Sequence, residues 1–183
     1  MKGRRTIAYF QIDKNPNKIL TTEEDFLRFA ESLYRSALDY SHIVEICISK
    51  TRYSTALFSI AAFASELFLK SIVSIRLQKK WMGHDLYDIY DILPEDDKEY
   101  IKQTHPCSNI KRMDFELELK ETGKAFEVLR YHHEKKDLAF NAVFILEFMT
   151  TVRAFCQQSL KELETDGKPT PPLTTACCQN VAN

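Results

Sequence analysis

The sequence predicts an all-α helical bundle, and three observations predict it. Breakers are few: four glycines and six prolines occur in 183 residues. Pro169, Pro171 and Pro172 fall near the end, so only Gly83, Pro94, Pro106 and Gly123 interrupt the chain between Pro16 and Gly167. The uninterrupted stretches are rich in Leu, Ala, Glu, Lys and Phe, which favour helix over the turn-dense texture of a β protein. Within them, apolar residues recur at alternating four- and three-residue steps. The length suggests one domain with enough interior to fold without disulfides or metal. We therefore expect about five to six helices, two of them long and antiparallel, closed by a C-terminal helix. An N-terminal arm spans residues 1–20, the helical domain 21–164 and a Pro/Thr-rich flexible tail 165–183.

Residues 1–20 mix charge, Asn and Pro, and Arg5–Ile12 suits a short strand or an arm laid on the domain. Thr21-Thr22-Glu23-Glu24 offers a capping box in which Thr21 accepts from the first turn and Glu24 reaches back. Phe26, Ala30, Leu33, Ala37, Tyr40, Val44 and Ile48 then mark one continuous helical stripe to about Ser49. A second helix runs from about Ser54 to Gln78 with Leu57, Ile60, Ala64, Leu67, Ser71 and Ile75 on one face. Ala56, Ser59, Ala61, Ala62 and Ser65 keep its middle slim, which lets the first helix approach closely. Gly83 is read as the stop.

A short helix over Asp85–Leu93 follows, and Pro94 suits the first position of another. Glu95, Asp96 and Asp97 would be favoured there by the helix dipole. Residues 103–112 read as a loop. The next helix carries Phe115, Leu119, Thr122, Phe126 and Leu129 and ends near Arg130, with Gly123 inside it marking a close contact or a bend. The last, about Asp137–Glu164, has Ala142, Ile145, Met149, Val152 and Cys156 on one face and Phe140, Phe144, Phe148 and Phe155 on another. A helix apolar on two sides must bury both. One face is expected to pack within the domain and the other to form a dimer surface. No internal repeat is present.

A formal net charge of −1 gives no overall positive field toward nucleic acid or an anionic membrane, so any RNA contact needs a local patch. Ile7–Phe10 is too short for a signal-peptide core, and the apolar run Ala56–Leu69 contains Glu66 and falls short of a membrane span. A cytoplasmic protein without membrane contact is the expectation. The five cysteines lack the spacing of a disulfide framework or zinc ribbon. Cys47 and Cys156 read as small buried hydrophobes, and Cys177 and Cys178 as an oxidation hazard in a polar tail. His105 and Cys107 share one loop, but two ligands do not complete a four-coordinate site, so neither metal nor cofactor is expected.

Three constellations carry chemistry. Glu66 and Lys70 stand one helical turn apart in the favourable order, and the apolar neighbours Ala64, Leu67, Phe68 and Leu69 turn Glu66 inward, where a carboxylate needs a cation such as Arg130. The alternative is an ordinary surface pair. Gly83-His84-Asp85-Leu86 combines a helix stop, a titratable ring and a cap, and reads as structural rather than catalytic. Arg130-Tyr131-His132-His133-Glu134-Lys135-Lys136 is cationic and, with Lys79, Lys80, Lys111 and Arg112, suits phosphate, while Tyr131 suits stacking on a base. Its alternative is a solvated helix junction.

In this order Glu66-Leu67-x-Leu69-Lys70, Gly83-His84-Asp85-Leu86 and Arg130-Tyr131 resemble the HEPN superfamily over most of residues 54–160. These are all-helical domains of which many cleave RNA or bind nucleotides. The resemblance implies a homodimer with two Arg-centred sites across a shared cleft, an association with RNA or a nucleotide, and a toxin–antitoxin or phage-defence setting. It also implies that the Gly-His-x-Leu turn is mainly architectural.

In RNA-cleaving members an Arg is followed after four to six residues by a His; the pair stabilises phosphorane charge and moves protons. Here His132 and His133 follow Arg130 after only one and two positions. Arg35 and His42 have the spacing but lie on the first helix. As a metal-independent endoribonuclease, the chain would use Arg130 for phosphate charge, His132 or His133 for the proton and Glu66 to orient Arg130. Two other classes remain: a non-catalytic helical module that recruits a protein partner, and an inactive antitoxin or regulatory subunit of a larger complex.

Overall fold

Thr22 opens the first long helix. Its extended backbone turns the hydroxyl onto the Asp25 N–H at 3.1 Å, and the Asp25 carboxylate reaches back to the Thr22 N–H at 3.4 Å. The capping box thus lies one residue beyond the expected Thr21–Glu24 pair. Glu24 is instead drawn to Arg28 across one turn. The structure, a computed structural model, describes residues 20–109, 113–123 and 141–165. Among these, six α-helices and one 3-10 turn form an all-α bundle without strands. Residues 1–19 of the N-terminal arm, the tail beyond residue 165, Phe126, Leu129 and Phe140 lie outside the described residues.

Helix α1 (Glu23–Ser49) and helix α2 (Thr55–Leu77) are antiparallel. Ser74 donates to the Phe26 carbonyl and Ser71 to that of Ala30, both at 2.8 Å. Farther along, Phe68 meets Tyr34 and Phe63 meets Tyr40, so rising numbers on α2 meet falling numbers on α1. Small buried residues permit this approach: Ala30, Ala37 and Ser41 on α1, with Ala61, Ala64, Ser65 and Ser71 on α2. Ser54 caps α2 by accepting from the Leu57 N–H. The helix stops at Gln78, which takes a left-handed conformation with φ 49°, rather than at Gly83.

Helix α2 is the hub. Ala61, Ala62, Phe68, Leu69, Ile72 and Val73 are buried, while Ile60, Leu67 and Ile75 of the expected stripe are only partly so. By length and composition α2 is apolar enough to cross a membrane, and 67 % of that window is buried inside the bundle. The apolar stretch therefore extends beyond the expected limit at Leu69, because Ile72, Val73 and Ile75 follow Lys70.

Asp85 caps α3 (Leu86–Asp91) by accepting from the Tyr87 N–H at 2.9 Å. Pro94 is the cap of α4 (Glu95–Thr104) rather than its first residue, and Glu95, Asp96 and Asp97 occupy the first turn. The expected loop at 103–112 is shorter at its start, since α4 continues to Thr104; a 3-10 turn, Pro106–Asn109, follows. Asp114 caps α5 (Phe115–Thr122) through the Glu116 and Leu117 N–H groups.

Helix α6 (Ala142–Thr165) starts later than Asp137. Asn141 is not helical, and its side chain accepts from the Phe144 N–H at 3.1 Å. Both apolar faces of α6 are used inside the chain, against the expectation that one remains for a second copy. Ile145, Met149, Val152 and Cys156 are buried, and so are Phe144, Phe148 and Phe155. The helix is wedged between α2 and the α4–α5 region, where Phe144 and Phe148 pack on Phe115 and Phe155 packs on Tyr100.

Candidate functional site

The central position of α2 turns Glu66 inward: its carboxylate is only 1 % exposed among Ser65, Phe68 and Leu69. A buried carboxylate requires polar partners, and Glu66 has two on one oxygen. Lys70 Nζ donates to Oε1 at 2.8 Å from the next turn of the same helix, and His84 Nδ1 lies 2.9 Å from the same atom. An ionised carboxylate only accepts, so Nδ1 is the protonated ring nitrogen. Oε2 is buried and without a hydrogen-bond partner among the described residues.

The loop between α2 and α3 delivers His84. Its neighbour Asp85 is fixed by capping α3, and Leu86 is fully buried. The His84 side chain remains 53 % exposed. One edge of the ring is held by the buried carboxylate, and a large part of the ring faces solvent. Lys79 and Lys80 are exposed on the same loop, the latter with Nζ 5.7 Å from the Phe29 ring centroid.

Glu66, Lys70 and His84 are therefore joined, and Asp85 is the cap beside them. Arg130, Tyr131, His132, His133, Lys135, Lys136, Lys111 and Arg112 lie outside the described residues, and so does any pairing of Glu66 with Arg130. The Gly123 carbonyl accepts from the Leu86 N–H at 3.0 Å, two residues past His84. Arg35 and His42 are both exposed on α1, and Arg35 faces Glu31 at 4.0 Å. The sequence points His84 to a neighbouring loop or carboxylate without naming Glu66. The signal was present: a carboxylate in an apolar helix needs partners, and His84 is the first imidazole after that helix ends.

A second polar cluster is sealed. His105 Nδ1 accepts from the Cys107 N–H at 3.2 Å and lies 2.9 Å from Cys107 Sγ. Phe115, Phe144 and Phe148 surround the ring. Burial lowers the His105 pKa to about 4; the Phe144 backbone opposes this, although no group among the described residues reaches hydrogen-bond geometry with Nε2. Burial likewise raises Cys107. Among the described residues no group of three or more His, Cys, Asp or Glu is arranged to hold a metal. No protein-family model, curated protein or solved structure matches the chain.

Proposed function

We propose that this is a HEPN-like protein that associates with RNA or a nucleotide through phosphate contacts, as a cytoplasmic homodimer in a toxin–antitoxin or phage-defence setting. The observation that carries the reading is the buried Glu66 carboxylate, which holds an exposed imidazole at a loop bearing Lys79 and Lys80. An ordinary surface ion pair does not require a carboxylate at 1 % exposure with one oxygen unpaired among the described residues. In this reading Arg130, Lys135, Lys136, Lys111 and Arg112 contact phosphate, and Tyr131 stacks on a base. Glu66 orients cationic groups.

The test is incubation of wild type and Arg130→Ala with a mixed single-stranded RNA pool, without metal, scored for retained and for cut RNA. Retention by wild type and its loss in the variant is the expected result. A wild type that neither retains nor cuts RNA ends the RNA reading.

One observation favours a second reading, a helical module for a protein partner. A groove of about 420 Å³ between α1, α4 and α6 is lined by Ile48, Tyr100, Leu146 and Met149. Ile46 and Val143, on two of the same helices, are 54 % and 63 % exposed. Apolar surface of this kind marks interaction sites.

A further inference from the structure

We propose that the groove between α1, α4 and α6 is occupied by this chain's own segment Pro171–Ala176, folded back along α6 of the same molecule. This is independent of the RNA reading, and a protein partner that uses the groove has to displace the segment. Ile48 forms one wall of the groove, Tyr100 and Pro106 another, and Leu146, Met149 and Ala154 lie along its α6 side. Tyr100 and Ala154 are exposed. The Tyr100 ring is held against Phe155, and its hydroxyl donates to Gln158 at 2.9 Å. A fixed aromatic edge beside an apolar trough is a surface on which proline-rich strands dock.

The length of the chain beyond α6, and the place where that helix ends, select the occupant. Helix α6 ends at Thr165. At about 1.5 Å per residue, the groove residues Ala154 to Leu146 stand about 16 to 28 Å back from that end. Gly167 is where a chain that must reverse direction meets least steric resistance. Counted from Gly167 at about 3.1 Å per residue, Pro171 to Ala176 reach about 12 to 28 Å. The two spans coincide.

Composition follows the same register. The part of α6 crossed first presents the exposed polar side chains Gln157, Gln158 and Lys161, and the segment reaching it carries Asp166, Lys168 and Thr170. Pro171, Pro172, Leu173 and Ala176 come next, level with the apolar groove. Proline fixes its own φ, so docking costs little backbone entropy. The apolar N-terminal residues Ile7–Phe10 fit less well. They would have to travel back along α1 from Glu23 to Glu45, about 33 Å, which the chain between Phe10 and Thr22 covers only when almost fully extended.

The test is NMR on the full chain. In wild type the heteronuclear NOE of the Leu173 amide is expected to approach that of α6 amides. In Ala154→Phe, which fills the groove from an exposed position, it is expected to fall to the value of a free chain end. Leu173→Ser lies outside the bundle and leaves the fold intact; it is expected to shift the Leu146 and Met149 methyl resonances but not those of Leu69 and Ile72, which are buried in the core. A Leu173 NOE unchanged by Ala154→Phe overturns the proposal, and so do Leu146 and Met149 methyls unchanged by Leu173→Ser. Shifts that appear only as protein concentration rises give the groove to a second copy, and shifts caused by Phe10→Ser but not by Leu173→Ser give it to the N-terminal arm. Either result also overturns it.

Discussion

Gly123 lies so close to Asp85 that a β-carbon on it would stand 2.4 Å from Asp85 Oδ1. That oxygen is the one capping α3 through the Tyr87 N–H, and the Gly123 carbonyl in turn accepts from the Leu86 N–H. The end of α5 and the start of α3 therefore grip each other through backbone, immediately beside the loop that carries His84. Gly123 has φ −54°, an ordinary helical value. Space, and not backbone freedom, demands glycine here.

Gly123→Ala should accordingly destabilise the fold, by about 1–3 kcal/mol, although alanine is the better helix former. Either Asp85 gives up its cap or α5 moves away. In urea denaturation, Asp85→Ala should cost about 1 kcal/mol on its own, and the double variant should cost clearly less than the two single losses together. A neutral or stabilising Gly123→Ala would remove the contact from consideration.

How much of this was readable from sequence depends on the range of each interaction. The α1 stripe held at Ala30, Ala37 and Val44, which are buried, and α2 falls within a residue of its expected limits. Periodicity and side-chain size are local properties, and they were enough. Glu66 was readable as inward for the same reason. Its bond to His84 depends on the path of a loop that begins at Gln78, which ends the helix in a conformation usually associated with glycine, and not at Gly83. The two apolar faces of α6 require burial, but a periodicity cannot say whether the covering surface is another helix of the same chain or a second copy.

Arg76 was not singled out in the sequence, since an arginine in the last turn of a helix normally reads as solvated. It instead joins three helices. Its Nε lies 3.3 Å from Asp97 Oδ2 of α4, an ion-pair contact short of hydrogen-bond geometry, and Nη2 reaches Ser159 and Glu162 of α6 at 3.2 and 3.1 Å. The guanidinium also sits 5.6 Å from the Phe155 ring centroid.

Burial raises the Asp97 pKa, and Arg76 is the leading influence that draws it back. Removing the arginine leaves a largely buried carboxylate without its cation. Arg76→Ala should therefore cost about 2 kcal/mol in urea denaturation, the partial exposure of the arginine reducing what a fully buried pair would show. Arg76→Lys should recover less than half, because a single ammonium cannot serve Asp97, Ser159 and Glu162 at once while stacking on Phe155. Full recovery by lysine would mean that charge alone matters at this junction.

His105 makes stability depend on acid. The unfolded ring takes up a proton near pH 6.5, while the buried ring resists until about pH 4. Between those values the unfolded state binds a proton that the folded state does not, so falling pH favours unfolding. The contribution is fully present above pH 6.5 and is lost as the pH falls through about 4. Its size is on the order of 3 kcal/mol. Cys107 does not enter this window, since burial raises its thiol above the ordinary value of 9.0 and it stays protonated throughout. The carboxylates titrate over part of the same range, so the comparison must be made against a variant. His105→Phe keeps an aromatic ring within the cage of Phe115, Phe144 and Phe148 but cannot be charged. Plotted as unfolding free energy from pH 7 to pH 4, the wild type should fall more steeply than His105→Phe, whatever their offset at pH 7. Parallel curves would show that the imidazole finds a way to be charged within the fold, and would sink the account of a sealed, neutral ring.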